Sequence, residues 1–261
     1  MLVLVIRKMM SNPWMILCLL VGSIIAVAMV AAIPIYTDGV LQRMLIRDLE
    51  IFQEESYYFP GRYNLRANFN PLHEDVDVMK LYHTFDKMMS PESVSSFVKI
   101  PILSHTKDIY RDYLKAEPEV QREEKPKYRS IKLEVIQGLP DHITILHGRL
   151  YGMQQTGETY EVIVTEQAMQ KLDLLLNEVY LVSDIINESA KLFKVKIVGV
   201  FTIKDKRDPF WFRYLNYFSS SFFMDYSLFN ERIFKEDIMW PFTVQWDYAF
   251  DYHKLSMDSA G

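Results

Sequence analysis

The sequence predicts an α+β protein in which one N-terminal transmembrane helix precedes a mixed α/β domain on the extracytoplasmic side of the membrane. Three observations carry that prediction. Trp14 to Tyr36 is an apolar run without a charge, helical periodicity follows it at once, and the rest alternates short β-branched runs with helices lacking a regular βαβ beat. The expected organisation is a cytoplasmic segment 1–13, a transmembrane helix 14–36, an amphipathic stalk helix 37–56 and an extracytoplasmic domain 57–261.

The apolar run is about 23 residues, which at ~1.5 Å per residue spans ~34 Å and exceeds a hydrocarbon core of ~30 Å. A cleaved signal peptide is the rival reading, with Arg7 and Lys8 as its basic region and Val30-Ala31-Ala32 as a cleavage site. The run is longer than a signal core, and helix-compatible sequence continues beyond the cut, so the anchor is preferred. Arg7 and Lys8 precede the span with no acidic neighbour, whereas Asp38, Asp48, Glu50, Glu54 and Glu55 follow it. This places the N-terminus in the cytoplasm. Cys18, the single cysteine, lies inside the run, so no disulfide forms within one chain and the core and sheet must hold the domain.

After the span, Leu41, Leu45, Leu49 and Phe52 recur at helical spacing beside Val40 and Met44, opposite Gln42, Arg43, Arg47, Glu50 and Glu54. That face serves as packing against the protein's own domain or as a seam for a partner. Pro34 and Gly39 lie between the two helical runs, where a lost donor and a weak helix former predict a kinked or broken junction and a candidate hinge. Further helices are expected at Glu74–Met89, ended by the Ser90-Pro91-Glu92 turn, at Glu166–Leu172 and at Ser227–Phe234. Strands are expected at 98–103, 130–137, 160–165, 179–183, 193–203, 222–224 and 243–246, and a charged surface loop at 117–127.

Composition narrows the function. The 261 residues are 49% apolar, enough for a real core. Arg7 and Lys8 are the only charges in the first 36 positions, and the remainder carries 27 basic against 34 acidic residues, a net of −7. Such a surface argues against nucleic acid, which requires clustered Lys and Arg. The six histidines are scattered, and none forms an i, i+4 pair around a helical Glu. Asp141, His142 and His147 make the densest cluster, after a Gly138-Leu139-Pro140 turn, and a metal there is disfavoured. With no nucleophile elbow and no Gly-rich phosphate loop, no catalytic residue, cofactor or metal is assigned and an enzyme is not expected. Trp211, Phe212, Tyr214, Tyr217 and Phe218 belong to the densest aromatic stretch, 210–223, read as an interaction surface or as core with a membrane-facing rim.

Arg7-Lys8, Asn12-Pro13-Trp14 at the entry, and Ile33-Pro34-Ile35-Tyr36-Thr37-Asp38-Gly39-Val40-Leu41-Gln42-Arg43 at the exit resemble the start of MacB/FtsX-type ABC transporter permeases, especially those of Gram-positive bacteria. His147-Gly148-Arg149-Leu150, Glu161 to Ala168, Leu172, Val179-Tyr180-Leu181 and Val195 to Phe201 are similar to that family's extracytoplasmic core domain, in which a "GR" turn precedes a strand, a short helix, a second strand and a strand ending in "VGV". The resemblance implies a separate cytoplasmic ABC ATPase, a second permease copy or homologue, a lipid bilayer around the span, and a role in export or mechanotransmission with no catalytic residue in the outer domain. It also implies further spans, which this sequence does not include by Gly261. A membrane-anchored extracellular sensor or ligand-binding module is the alternative.

Overall fold

The computed structural model describes residues 13–56, 58–70, 77–120, 129–152, 159–186, 193–228 and 241–255. The chain forms two compact units, residues 1–55 with 253–261, and residues 56–252.

The first unit is built on helix α1, Pro13–Ser56, which is continuous for 44 residues. The expected break at Pro34 and Gly39 does not occur. One missing donor and one weak helix former together cost on the order of 4 kcal/mol, and the helix continues through both. The segments expected as span and stalk are therefore a single helix. Every described side chain from Leu17 to Ala32 is exposed. Among the described residues no helix is long and apolar enough to cross a membrane; side chains are described without a gap only over 16–32, and the side chains of 33–38 lie outside the described set. Beyond that stretch Leu41, Met44, Leu45 and Phe52 remain exposed, while Val40 and Leu49 are half-buried. The C-terminal part of α1 gains two polar contacts within its unit, as Gln42 Nε2 donates to the Leu255 carbonyl at 2.9 Å and His253 Nε2 lies 3.3 Å from Glu50 Oε1.

Among the described residues, the second unit is an α+β domain on one nine-stranded sheet. Its strands are β1 Arg62–Phe69, β2 Ile102–Pro118, β3 Arg129–Ile136, β4 Ile143–Gly148, β5 Thr159–Thr165, β6 Val179–Asp184, β7 Phe193–Ile203, β8 Ser221–Phe223 and β9 Phe242–Phe250. Its α-helices are α2 Val78–Met88, α3 Pro91–Phe97, α4 Glu166–Leu172 and the single turn α5 Tyr226–Leu228. The sheet order is β1-β9-β2-β3-β8-β5-β7-β4, and β6 pairs with both β2 and β7. That double pairing closes β2, β3, β8, β5, β7 and β6 into a ring. Inside it, Ile131, Leu133, Tyr160, Val162, Val164, Tyr180, Val182, Val195 and Phe222 form the main apolar core, as the two-residue period of each strand requires.

A bulge in β2 makes the ring possible. The register with β3 shifts between Arg111 and Leu114, and Tyr113 takes a φ of 61° there. Before the bulge β2 pairs with β9, and after it with β6. One extra residue reverses which alternate positions face inward. Ile109 before the bulge and Leu114 and Ala116 after it therefore belong to one core. Helix α2 covers the β1-β9-β2 part of that face through Val78 and Tyr82. Its Asp86 accepts from Lys107 Nζ at 2.9 Å and from Trp246 Nε1 at 3.0 Å.

Several elements depart from the sequence reading. Ser90-Pro91-Glu92 ends one helix and opens another: the Ser90 hydroxyl accepts from the Ser93 amide at 3.2 Å, and Pro91 fills the first turn, where no donor is needed. The strand expected at 98–103 starts at Ile102 and runs to Pro118, so β2 absorbs the beginning of the expected charged loop. The remainder of that loop from residue 121, the start of the expected helix at Glu74 and the end of the expected helix 227–234 lie outside the described residues. Strands β1 and β4 have no counterpart among the expected strands. Helix α4 has the expected bounds, with the Thr165 hydroxyl accepting from the Ala168 amide at 3.1 Å.

Close packing at the β4–β7 edge requires two glycines. Gly148 has a φ of 75°, and an added Cβ would lie 2.2 Å from the Val198 carbonyl; one on Gly199 would lie 2.1 Å from the Arg149 carbonyl. Arg149 next to them donates to Glu161 of β5 at 2.7 Å, and the Gly152 amide donates to the same carboxylate oxygen at 2.8 Å.

Candidate functional site

The face of β9, β2 and β3 opposite α2 is polar yet buried. Register places Asp108 beside Gln245, Thr106 beside Asp247, and Tyr110 beside Glu134, with Lys132 two residues along. All seven are buried. Polar groups taken out of water must find partners, and the segment 208–218 supplies them. Arg213 Nη1 donates to Asp108 Oδ2 at 3.0 Å and lies 3.7 Å from Glu134 Oε1, and its Nη2 donates to Gln245 Oε1. Gln245 Nε2 donates in turn to both Asp247 oxygens at 2.8 and 2.9 Å. Lys132 Nζ donates to the Tyr217 hydroxyl at 3.0 Å, and the Thr106 hydroxyl to the Phe210 carbonyl at 3.3 Å. Both cations also stand over the Tyr217 ring, at 4.2 Å for Lys132 and 4.1 Å for Arg213.

The electrostatics reflect that geometry. Burial first, and then the neighbouring Glu134 carboxylate, hold Asp108 well above the usual carboxylate range. Asp108 Oδ1 and both Glu134 oxygens meet no donor among the described residues. Burial also pushes Asp247 up to about 6, against the opposing effects of Gln245, Arg213 and Arg62. For Arg213, burial lowers the pKa, and Asp108 and Glu134 outweigh it.

The same segment walls a cleft of about 410 Å³, with Tyr58, Arg62, Lys206, Trp211, Phe212 and Tyr214 among its lining residues. Arg62 projects from the first residue of β1 and lies against two rings, 4.3 Å from the Tyr58 centroid and 4.5 Å from that of Phe212, while Nη2 donates to the Trp211 carbonyl. The Tyr214 hydroxyl donates to the Ser56 carbonyl at 2.5 Å, and its ring lies 6.0 Å from that of Tyr58. No carboxylate lines the cleft among the described residues.

The five aromatic residues singled out from the sequence divide accordingly. Trp211 and Phe218 belong to a second apolar core with Ile163, Phe201 and Phe223, and Phe212 is 9% exposed; these three are wall and core, not open surface. Tyr214 and Tyr217 are 55% and 44% exposed. Pro34 and Gly39, the hinge candidates, lie within unbroken α1; an added Cβ on Gly39 would meet nothing within 4 Å. His142 is in a 3-10 turn, Leu139–His142, opened by Gly138 at a φ of 79°, stacks on Phe210 with centroids 3.7 Å apart and lies 2.5 Å from Asp208 through Nδ1. His147 is on β4. Among the described residues no group of three or more His, Cys, Asp and Glu is placed to hold a metal.

Sequence reasoning missed Arg62, Asp108, Glu134, Arg213 and Asp247. Glu134 sits inside the apolar run 131–136, and Asp247 follows the expected strand 243–246; a carboxylate in such a position calls for a partner, although the sequence does not say which. No protein-family model matches the chain, and no curated protein matches it.

Proposed function

We propose that this chain is the N-terminal part of a membrane permease subunit of the MacB/FtsX type, whose outer domain moves in response to a separate cytoplasmic ABC ATPase. One observation carries the reading. The first half of α1 is apolar and exposed all round, with Val27, Met29 and Val30 each at least 66% exposed. Water does not tolerate a contiguous apolar surface of that kind, whereas a bilayer does. The 44 helical residues extend ~66 Å at ~1.5 Å each, twice the hydrocarbon thickness of ~30 Å. Such a helix crosses the membrane at Trp14–Tyr36 and carries its polar half beyond it. Continuity through Pro34 and Gly39 favours transmission along one rod over bending at a hinge. The exposed Leu41, Met44, Leu45 and Phe52 offer a seam to a second permease copy or homologue.

Two further features support the family reading. The "GR" turn and the "VGV" strand are Gly148-Arg149 and Val198-Gly199-Val200, and each glycine is required where the backbones of the two segments meet. The motif order also matches β4, β5, α4, β6 and β7. The second reading, a membrane-anchored binding module, is favoured by the cleft at Arg62.

Cysteines replacing Ser11 and Glu123, in a Cys18→Ser background, are expected to label from opposite sides of the membrane in intact cells. An ABC ATPase is expected to co-purify with the detergent-extracted protein. Labelling of both cysteines from outside would overturn the topology, and membrane-bound protein without an ATPase would favour the binding module.

A further inference from the structure

We propose that the cleft at Arg62 is a binding site for a small organic oxyanion, a carboxylate or phosphate carried on a flat apolar body. The inference does not depend on the permease reading. Its volume of about 410 Å³ suits a ligand of drug-like size. Arg62 and Lys206 face it, and no carboxylate is among the described lining residues. Arg213 also lines it but is held by Asp108 and Gln245, so the charge left for a ligand is that of Arg62 and Lys206.

Arg62 is prepared for this role. The Tyr58 and Phe212 rings stack against the guanidinium, 4.3 and 4.5 Å from its carbon, and the Trp211 carbonyl holds Nη2. All its N–H donors lie in the guanidinium plane, so stacking leaves the edge as the direction in which an oxyanion is met. Arg62 Nε meets no acceptor among the described residues. The nearest carboxylate field acting on it is that of Asp247, which burial holds up to about 6 and which Gln245 already engages. Lys206, exposed at the rim, adds a second positive charge. Tyr58, Trp211 and Tyr214 give the apolar body of the ligand rings to pack against. Gln167, whose Oε1 meets no donor among the described residues, is placed to accept from a ligand hydroxyl or amide.

The test uses the full chain in detergent, titrated calorimetrically with 3-phenylpropionate, phenyl phosphate and the uncharged 3-phenylpropanamide. Saturable binding of an anion, with the amide binding about tenfold more weakly or not at all, is the expected result. The tighter of the two anions assigns carboxylate or phosphate as the source. Arg62→Gln is expected to weaken the preferred anion about tenfold, and Lys206→Gln to weaken it about threefold. Lys206 is exposed, so that variant decides the matter even where Arg62→Gln fails to fold. Equal affinity for the amide, the absence of saturable binding of either anion, or anion affinity unchanged in Lys206→Gln would each overturn the proposal.

Discussion

The two faces of β3 are both buried, by opposite means. Ile131 and Leu133 point into the closed ring among aliphatic and aromatic side chains, while Lys132 and Glu134 point to the other side, beneath the segment 208–218. The inner face gains from removing apolar surface from water, a non-directional effect that tolerates repacking. The outer face gains nothing from burial itself. Its charges are compensated by Arg213, which donates to Asp108 and Gln245 and lies 3.7 Å from Glu134. The first arrangement is specified locally by alternation in each strand. The second depends on four separate parts of the chain meeting in one register.

That contrast can be broken from either side. Arg213→Ala is expected to destabilise the protein by about 3–5 kcal/mol, since it leaves buried carboxylates without their cation. Leu133→Ala on the inner face is expected to cost about 2–5 kcal/mol through lost transfer energy and a cavity. Denaturant unfolding of both variants measures the difference. The decisive comparison adds Asp108→Asn and Glu134→Gln to Arg213→Met: much of the loss should return, because removing these three charges together also removes their desolvation cost, and no second substitution can refill the space left by Leu133 so simply. If the triple variant is no more stable than Arg213→Ala, the polar face is not governed by charge compensation.

A smaller effect concerns pH. Asp247 titrates at about 6 in the folded protein and near 3.8 when unfolded. The folded state therefore binds the proton more tightly, and the sign is opposite to that of a salt-bridged carboxylate. Its contribution is most favourable below about pH 4 and is lost as pH rises through about 6. Asp247→Asn is expected to flatten the fall in stability between pH 4 and 6, measured as melting temperature against pH. An unchanged slope would assign the fall to other groups, Asp108 first. Smallest of all, Tyr217→Phe removes the hydroxyl that accepts from Lys132 but keeps the ring beneath both cations. A loss of about 0.5–1.5 kcal/mol in chemical denaturation is expected. A larger loss would show that the hydroxyl, not the ring, anchors the segment.

Much of the domain was legible because its signals are local. Thr165 before an apolar-periodic run marks α4, and β-branched alternation marks β3, β5, β6 and β7, since cap and pleat depend on neighbours within a few residues. Pro34 and Gly39 do not break α1, because their local helix weakness is set within 44 continuous helical residues. Strand β1 was hidden for a different reason. Arg62, Asn64, Arg66 and Asn68 alternate on a face whose polarity makes sense only when β9 lies beside it.

By itself, the sequence determined the apolar run at Trp14–Tyr36, the α+β character of the domain beyond it and the bounds of α4. Composition and short-range periodicity suffice for these. Only the tertiary structure decided that Trp211 and Phe218 are core while Tyr214 and Tyr217 are exposed, and that Arg62, Asp108, Glu134, Arg213 and Asp247 lie on one side of the sheet. Those residues are separated by tens to more than a hundred positions. Their meeting depends on the β1-β9-β2-β3 register, fixed by long-range strand pairing and by the single extra residue of the β2 bulge.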